Sequence, residues 1–484
     1  MRPVVLLTVV CCGIAPVSVR GAEAPLPDRA AEGLRRAVKF FAGEVAVEGG
    51  YVWRYSEDLS TREGEGRASA TTVWVQPPGT PTVGMALLRA YEATGEPYLL
   101  DAARRAGECL ARGQLRSGGW TYRIEFDPAA RRRYAYRLDE PSDRSSPRNT
   151  STLDDDTTQA ALRLLVRLDK ALEFRDPVIH DAAEQGLSAL LGAQYPNGAW
   201  PQRFEGPPDA EQFPVKKADY PADWPRTFPG KSYGHCYTLN DNAIADAIDA
   251  LFEAGRVYED ERYVKAARRG GDFLLLAQMP DPQPAWAQQY DAAMHPVWAR
   301  KFEPPAVTGG ESQGAMRALL SVYRRTGDRK YLEPIPRAIE YLRRSQLPDG
   351  RLARFYEVRT NRPLYFTTDY ELTYQDDDLP THYAFKVGSG LDRIQREYER
   401  LLATDPAELS PTPSSKPERP RKPSATSIAR VEEVLAALDD RGGWVEEGRL
   451  KCHGSDDPTR RIIDCRTFCR HVEILGNYLA VVSQ

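Results

Sequence analysis

The stretch YTLNDNAIADAIDALFEAGRVYEDERYV, residues 237–264, decides the fold. Its apolar residues recur at the spacing of one helix face: Ile244, Ile248, Leu251 and Phe252. GRVYEDERYV (255–264) then provides a short turn into a second helix, and AWAQQYD (285–291) follows with the pattern of a short strand. The stretch therefore predicts a helical hairpin that ends in a strand-like segment.

The same unit recurs along the chain between about residues 29 and 403. Its other turns are ATGEPYL (93–99), KALEFRDPVI (170–179) and RTGDRKYL (325–332). Its other strand-like segments are GGWTYRIEF (118–126), GAWPQRF (198–204) and GRLARFYE (350–357). Self-similarity of this kind is typical of an array of helical hairpins. We count five hairpins up to residue 403 and a sixth beyond it.

Six hairpins closed in a circle form an α/α toroid, so we predict an all-α fold with short strand-like segments at one face. The alternative, an open solenoid, would need polar capping repeats at both ends, and the sequence shows none. The toroid is expected to span residues 23–403. Residues 404–427 are Pro-rich and are predicted to be a linker or insertion, and residues 428–484 to be the final hairpin that closes the ring.

The amino terminus and the composition indicate where the protein acts and which partners it has. Arg2 precedes the apolar stretch 4–10, so residues 1–22 are predicted to be a signal peptide of a secreted or periplasmic protein. The net charge of 65 − 69 = −4 argues against a nucleic-acid partner. No apolar run reaches the ~18 residues of a membrane span. We expect a monomer.

The predicted architecture places the chemistry at one face. If inner and outer helices alternate, the inner-helix starts and the strand-like segments lie together. Asp154–Asp156 and Asn240–Asn242 would then meet the aromatic and arginine side chains of those segments. Such a set around a concave rim is typical of a cleft for acidic sugars.

Several of these motifs resemble one known family. They are STLDDDTTQAALRLLVRL (151–168), PNGAWPQRF (196–204), YTLNDNAIADAIDAL (237–251), VWARKFEPPAVTGGES (297–312) and ARFYEVRTNRPLYF (353–366). Over about residues 68–390, the chain resembles the family 10 pectate lyases, also called pectic acid lyases. The resemblance implies an α/α toroid that cleaves polygalacturonate by calcium-assisted β-elimination.

The chemistry of that reaction explains the residues that the resemblance implies. Loss of the C5 proton of a uronate becomes easier when the adjacent carboxylate is neutralised by calcium and by arginine. By resemblance, Asp155 and Asp241 are expected to bind Ca²⁺, with Asp155 standing where the family has Asn. Arg300, Asp155, His235 and Trp200 are expected to bind the substrate. Arg354, Asp154 and Asp369 are the predicted catalytic residues.

One position departs from the family. The family's Arg-Asp-Gly motif supplies an arginine that acts as the base, whereas Thr368 stands at that position here. Other candidate bases are Tyr370, His382, Asp369 and the acids 376–378. The catalytic activity therefore depends on a group that the sequence does not single out.

Other interpretations stay open at the level of sequence. Asp154–Asp156 and Asp241 could cap helices, and the tryptophans could pack between hairpins. Two further functions fit an acidic-sugar cleft. One is an α/α-barrel glycoside hydrolase acting on acidic glycans with two carboxylates such as Asp154 and Asp369. The other is a non-catalytic uronate-binding protein.

Overall fold

A computed structural model describes residues 24–141, 145–409 and 422–483. The predicted signal peptide, and residues 410–421 of the predicted linker, lie outside these ranges. Within them, no helix combines the length and the apolar content needed to cross a membrane.

The fold is built mainly from helices. They are α1 (Leu26–Phe40), α2 (Thr80–Thr94), α3 (Pro97–Arg112), α4 (Pro128–Arg131), α5 (Thr157–Ala171), α6 (Pro177–Gly192), α7 (Ala243–Tyr258), α8 (Glu261–Leu276), α9 (Gly309–Thr326), α10 (Ile335–Arg344), α11 (Leu391–Ala403), α12 (Ala425–Ala436) and α13 (Cys465–Val482). Local chemistry sets many of the boundaries. Asp176, Asp260 and Asp464 cap the first turns of α6, α8 and α13 with their carboxylates. Gly95 ends α2 in a left-handed conformation, with φ 74°.

The long helices form two concentric layers. Around the inner layer, α13 packs on α2, α2 on α5, α5 on α7, α7 on α9 and α9 on α11. The outer layer contains α1, α3, α6, α8, α10 and α12. The predicted all-α fold class, an α/α toroid, is therefore confirmed.

Short strands lie at one face of the ring. They are β1 (Arg54–Ser56), β2 (Arg62–Glu63), β3 (Arg67–Ala68), β4 (Thr72–Trp74), β5 (Arg123–Glu125), β6 (Ser151–Thr152), β7 (Arg203–Phe204), β8 (Tyr237–Thr238), β9 (Gln289–Tyr290), β10 (Ala306–Thr308), β11 (Leu352–Ala353), β12 (Phe355–Glu357), β13 (Pro363–Phe366), β14 (Leu372–Thr373), β15 (Lys386–Val387), β16 (Glu446–Glu447) and β17 (Arg461–Asp464).

The strand pairing shows why this face gathers the inner-helix starts. A strand that precedes an inner helix pairs antiparallel with a strand that follows an outer helix. The pairs are β4 with β5, β6 with β7, β8 with β9, β10 with β12, β15 with β11, and β17 with β1. The inner-helix starts and the strand-like segments therefore share one face of the ring, which we call the strand face.

The two ends of the chain meet in the last hairpin. β17 precedes α13 and pairs with β1, which follows α1, so that Arg54 lies opposite Asp464. Within residues 428–484, α12 and α13 pack on each other, and α1 packs on both. The N-terminal helix therefore supplies the outer partner of α13.

Four tryptophans of the strand-like segments are part of the core. Each indole N–H donates to a carbonyl of the preceding outer helix: Trp120 to Leu110, Trp200 to Leu190, Trp286 to Leu274 and Trp444 to Val434. Trp200 is 0% exposed, so its ring has no free face for a sugar. The prediction that Trp200 binds substrate is therefore wrong, because the repeated tryptophan packs between the hairpins.

Candidate active site

Two turns at the strand face have the same unusual backbone. In the 3₁₀ turn Asp154–Asp156, Asp155 has φ 49° and ψ 37°, and in the turn Asn240–Asn242, Asp241 has φ 49° and ψ 31°. The next residue, Asp156 or Asn242, is also left-handed. Only Gly, Asn and Asp adopt this region readily, so a strained turn is repeated before two neighbouring inner helices. The turns bring Asp155 and Asp241 to equivalent positions.

Three carboxylates from these turns form a compact cluster, which we call the acid trio: Asp154, Asp155 and Asp241. One oxygen from each lies within 4.8 Å of the others. Polar neighbours orient two of the three carboxylates. Tyr122 Oη donates to Asp154 Oδ2 at 2.6 Å, and Gln76 Nε2 donates to Asp155 Oδ2 at 2.8 Å. The trio therefore presents fixed oxygen atoms to a common point.

The acid trio is electrostatically unfavourable without a cation. Burial, followed by the charges of Asp154 and Glu65, raises the pKa of Asp155 to about 6. The Asp241 side chain is exposed to solvent, although much of the space around its carboxylate is filled by protein. Burial and the neighbouring Asp155 and Asp154 raise its pKa to about 8.

Unsatisfied oxygens point to the same conclusion. Asp154 Oδ1 and Asn240 Oδ1 are buried and have no hydrogen-bond partner within the described part of the chain. Buried polar atoms normally have partners. A set of carboxylate and amide oxygens matches the ligands preferred by a hard cation such as Ca²⁺. The residues present therefore fit a calcium ion.

Arg300 lies close enough to the acid trio to act on it electrostatically. Its positive charge lowers the pKa of both Asp155 and Asp241, against the larger effects that raise them. Arg300 Nη2 donates to Glu303 Oε1 at 2.5 Å, and the Arg300 backbone N–H donates to Glu303 Oε2 at 3.0 Å. Glu303 is fully buried, and although burial opposes its charge, Arg300 holds its pKa below the usual value. Glu303 therefore fixes the guanidinium in its charged form.

Arg354 lies beside this pair. Its Nη1 donates to Glu311 Oε1 at 3.3 Å, and its guanidinium lies 4.6 Å from the centre of the Tyr383 ring. Tyr383 Oη donates to Glu303 Oε1 at 2.8 Å. Glu311, at the start of α9, also acts electrostatically on Asp241. Arg300 and Arg354 are thus linked through Tyr383 and Glu303.

The structure brings five of the predicted site residues around one cleft: Asp154, Asp155, Asp241, Arg300 and Arg354. Asp369 instead is exposed on the turn between β13 and β14, and within the described chain it makes no hydrogen bond or ion pair. Thr368, on the same turn, donates to Asp378 Oδ1 at 3.0 Å. Independently of what stands at position 368, Arg300 places a guanidinium close enough to Asp155 and Asp241 to act on them electrostatically.

His235 is exposed on the long connection between β7 and β8. Its backbone carbonyl accepts a hydrogen bond of 2.6 Å from Tyr195 Oη.

Two candidate bases, Tyr370 and His382, pack with Phe302 at ring-centre distances of 5.7 and 5.2 Å. Arg300 lies over the same Phe302 ring, 5.2 Å from its centre. These two side chains therefore border the arginine side of the cleft.

The sequence analysis did not single out four residues that position the site: Gln76, Tyr122, Glu303 and Tyr383. Tyr122 lies in a recognised strand-like segment and Glu303 in the motif 297–312, so both carried a detectable signal. Gln76 and Tyr383 lie 79 and 80 residues from their partners Asp155 and Glu303, and only the packing of neighbouring repeats brings them close.

Comparisons with known proteins found one family model that matches part of the chain. Residues 114–321 match the family model described as pectic acid lyase. The predicted resemblance is confirmed over this region, which contains the acid trio and Arg300. The chain is thus an α/α toroid of which residues 114–321 are similar to the pectic acid lyases. No curated protein sequence matches the chain.

Several solved structures are similar to the chain. A family 10 polysaccharide lyase from Cellvibrio cellulosa has 19% identity and a TM-score of 0.44, covering 61% of this chain and 91% of that one. A mutant family 10 lyase from the same organism, in complex with trigalaturonic acid, has 17% identity and a TM-score of 0.44, covering 66% and 98%. D-mannose isomerase has 13% identity and a TM-score of 0.45, covering 96% and 100%.

Proposed function

We propose that the protein is a pectate lyase that cleaves polygalacturonate by calcium-assisted β-elimination. The observation that carries the proposal is the acid trio facing Arg300, within the region that matches the pectic acid lyase family. A substrate with a carboxylate on each sugar suits a cleft that offers a cation site on one side and arginines on the other.

The acid trio would hold the calcium ion. When bound, the ion supplies positive charge that neutralises a uronate carboxylate and makes the neighbouring C–H more acidic. The trio's own task is to offer fixed oxygen ligands, and Tyr122 and Gln76 hold two of them in place by the hydrogen bonds described above. Asp241 supplies the third side of the site from the neighbouring repeat.

Arg300 would bind the carboxylate of the reacting sugar. Its guanidinium remains protonated because Glu303 and the other acidic groups around it raise its pKa, although burial alone would lower it. A charged guanidinium binds a carboxylate through two parallel hydrogen bonds. Arg354 lies near the same Tyr383 ring as Arg300, and it would bind the carboxylate of the next sugar of the polysaccharide.

The test is incubation of the purified protein with polygalacturonate and calcium. β-Elimination leaves an unsaturated uronide end, which absorbs in the ultraviolet, and a chelator should abolish its formation. Asp241→Asn, in the acid trio, should lower the yield of this product. Its matched control is Asp101→Asn, which changes an exposed acid on the outer helix α3. New reducing ends without the absorbance would instead show a hydrolase. Binding of polygalacturonate with no cleavage would show a non-catalytic uronate-binding protein.

We also propose that the protein is exported by the signal peptide at residues 1–22. Expression of the full chain, followed by N-terminal sequencing of the secreted or periplasmic product, tests this. A mature protein that begins near residue 23 is expected. An intact Met1 in the cytoplasm would contradict export.

A further inference from the structure

The centre of the ring contains a second charged cavity. A cavity of about 580 Å³ lies between the inner helices α7, α9 and α11. Asn242, which directly follows Asp241 of the acid trio, lines it. Gly314 faces the same side, because a Cβ there would lie 3.1 Å from Asn242 Oδ1. The cavity therefore adjoins the acid trio on the side of the ring's centre.

Most charges in this cavity are balanced in pairs. Arg324 forms an ion pair with Glu397, and Arg325 Nη1 lies 2.8 Å from Asp249 Oδ1. Asp246, the remaining acid of the lining, is repelled by Asp156 and attracted by Arg163 of the neighbouring helix α5, and Arg163 forms its ion pair with Asp156. Two of the three acids that line the cavity are therefore paired within the lining.

Two arginines of the lining are left without a carboxylate. The side chains of Arg317 on α9 and Arg393 on α11 are exposed, and they make no ion pair or hydrogen bond in the ranges that the structure describes. Burial and the positive charge of Arg393 lower the pKa of Arg317. The fold thus holds two like charges near each other in the cavity that adjoins the acid trio.

A side-chain clamp fixes the two helices that carry these arginines. Gln313 Oε1 accepts from the backbone N–H of Gly390 at 2.7 Å, just before α11 begins. Gln313 Nε2 donates to the Gly388 carbonyl at 3.1 Å. The start of α9 is thus tied to the start of α11. The clamp therefore fixes the distance between the two helix backbones that carry Arg317 and Arg393.

We propose that Arg317 and Arg393 form an anion site that binds a carboxylate of an acidic oligosaccharide, next to the sugar at the acid trio. The inference rests on the proposed function for the identity of the sugar. Two guanidinium groups without acidic partners match a carboxylate in charge and in hydrogen-bonding geometry. A bound carboxylate would also relieve the repulsion between them.

The test measures binding of trigalacturonate by calorimetry in the presence of a chelator. Arg317→Gln and Arg393→Gln are each expected to raise Kd about tenfold, since one charge-assisted pair is lost. Arg396→Gln is the matched control, because it removes an exposed arginine of the same helix that does not line the cavity. Fully methyl-esterified trigalacturonate should bind weakly to the wild type and be insensitive to both substitutions.

Thermal unfolding separates binding from folding. Neither arginine has a partner to lose, so both variants should unfold at or slightly above the wild-type temperature. An unchanged Kd in both variants would overturn the proposal. Inorganic phosphate that displaces trigalacturonate at equal concentration would overturn the assignment to an acidic sugar. If the wild type forms no unsaturated product but the arginine variants lose affinity, the lyase proposal fails while the anion site stands.

Discussion

The two sides of the cleft are built in different ways. The acid trio comes from two repeat-equivalent turns, and its charges repel each other. Arg300 comes from the connection between β9 and β10 and Arg354 from the junction of β11 and β12, and each is paired with a buried glutamate, Glu303 or Glu311. The acid side is therefore unbalanced until a cation binds, whereas the arginine side is balanced in advance. A site that must bind both a metal ion and an anionic sugar gains from this asymmetry.

The largest expected effect comes from the unbalanced side. Asp241→Asn keeps the shape of the side chain but removes one negative charge from the trio. We expect lyase activity at fixed calcium to fall about a hundredfold or more, because a calcium ligand is weakened. Activity should recover partly as the calcium concentration is raised. An activity equal to wild type at every calcium concentration would remove Asp241 from the site.

A smaller effect is expected from the balanced side. Glu303→Gln leaves Arg300 with a neutral neighbour, so the guanidinium is less firmly held. We expect kcat/KM on polygalacturonate to fall about tenfold, the value of one charge-assisted hydrogen bond.

Glu357→Gln is the matched control for this comparison. Glu357 is also buried and pairs with Arg226 outside the cleft. If both variants lose equal stability but only Glu303→Gln loses activity, Glu303 acts by positioning Arg300. Equal losses of activity would show a merely structural effect.

The acid side should also make the metal-free protein sensitive to pH. The pKa values of Asp155 and Asp241, about 6 and about 8, exceed the ordinary 3.8 of an aspartate. Between pH 3.8 and these raised values, the folded protein therefore binds more protons than the unfolded chain. The contribution of the two groups to stability in chelator is complete below about pH 3.8 and is lost as the pH rises to about 8.

Thermal unfolding at pH 5 and pH 8 measures this dependence. Asp241→Asn should flatten it and raise the unfolding temperature at pH 8. Calcium should do the same for the wild type, provided that the acid trio binds the ion. A wild-type unfolding temperature that does not fall between pH 5 and pH 8 in chelator would contradict the repulsion within the trio.

The smallest effect on activity is expected from a residue between the hairpins. Trp200→Phe removes the hydrogen bond to the Leu190 carbonyl and leaves a buried acceptor unpaired. The free energy of unfolding should fall by about 1–3 kcal/mol. KM for polygalacturonate should not change, since the ring is buried. A raised KM with unchanged stability would restore Trp200 to the substrate site.

Local patterns predicted much of this molecule. Helical periodicity and the recurring turns and strand-like segments were enough to predict the toroid, because each hairpin repeats the same local pattern. The pattern also predicted that Asp154, Asp155 and Asp241 lie at one face, because each precedes an inner helix, whereas the roles expected for them came from the resemblance to the pectate lyases. Trp200 was misassigned because a repeated aromatic residue can serve packing or binding, and burial alone distinguishes the two.

The sequence by itself thus determined the helical hairpins, the strained acidic turns and the order of the charged motifs along the chain, since these depend on neighbours within a few residues. Only the tertiary structure decided which charges are balanced. Glu303 neutralises Arg300 and Tyr383 joins it to Arg354, while Arg317 and Arg393 are left without partners. Arg300 and Glu303 are only three residues apart, whereas the contact of Tyr383 with Glu303 and the closeness of Arg393 to Arg317 depend on the packing of neighbouring repeats. The first and last repeats in turn meet through pairing of β1 with β17, from opposite ends of the chain.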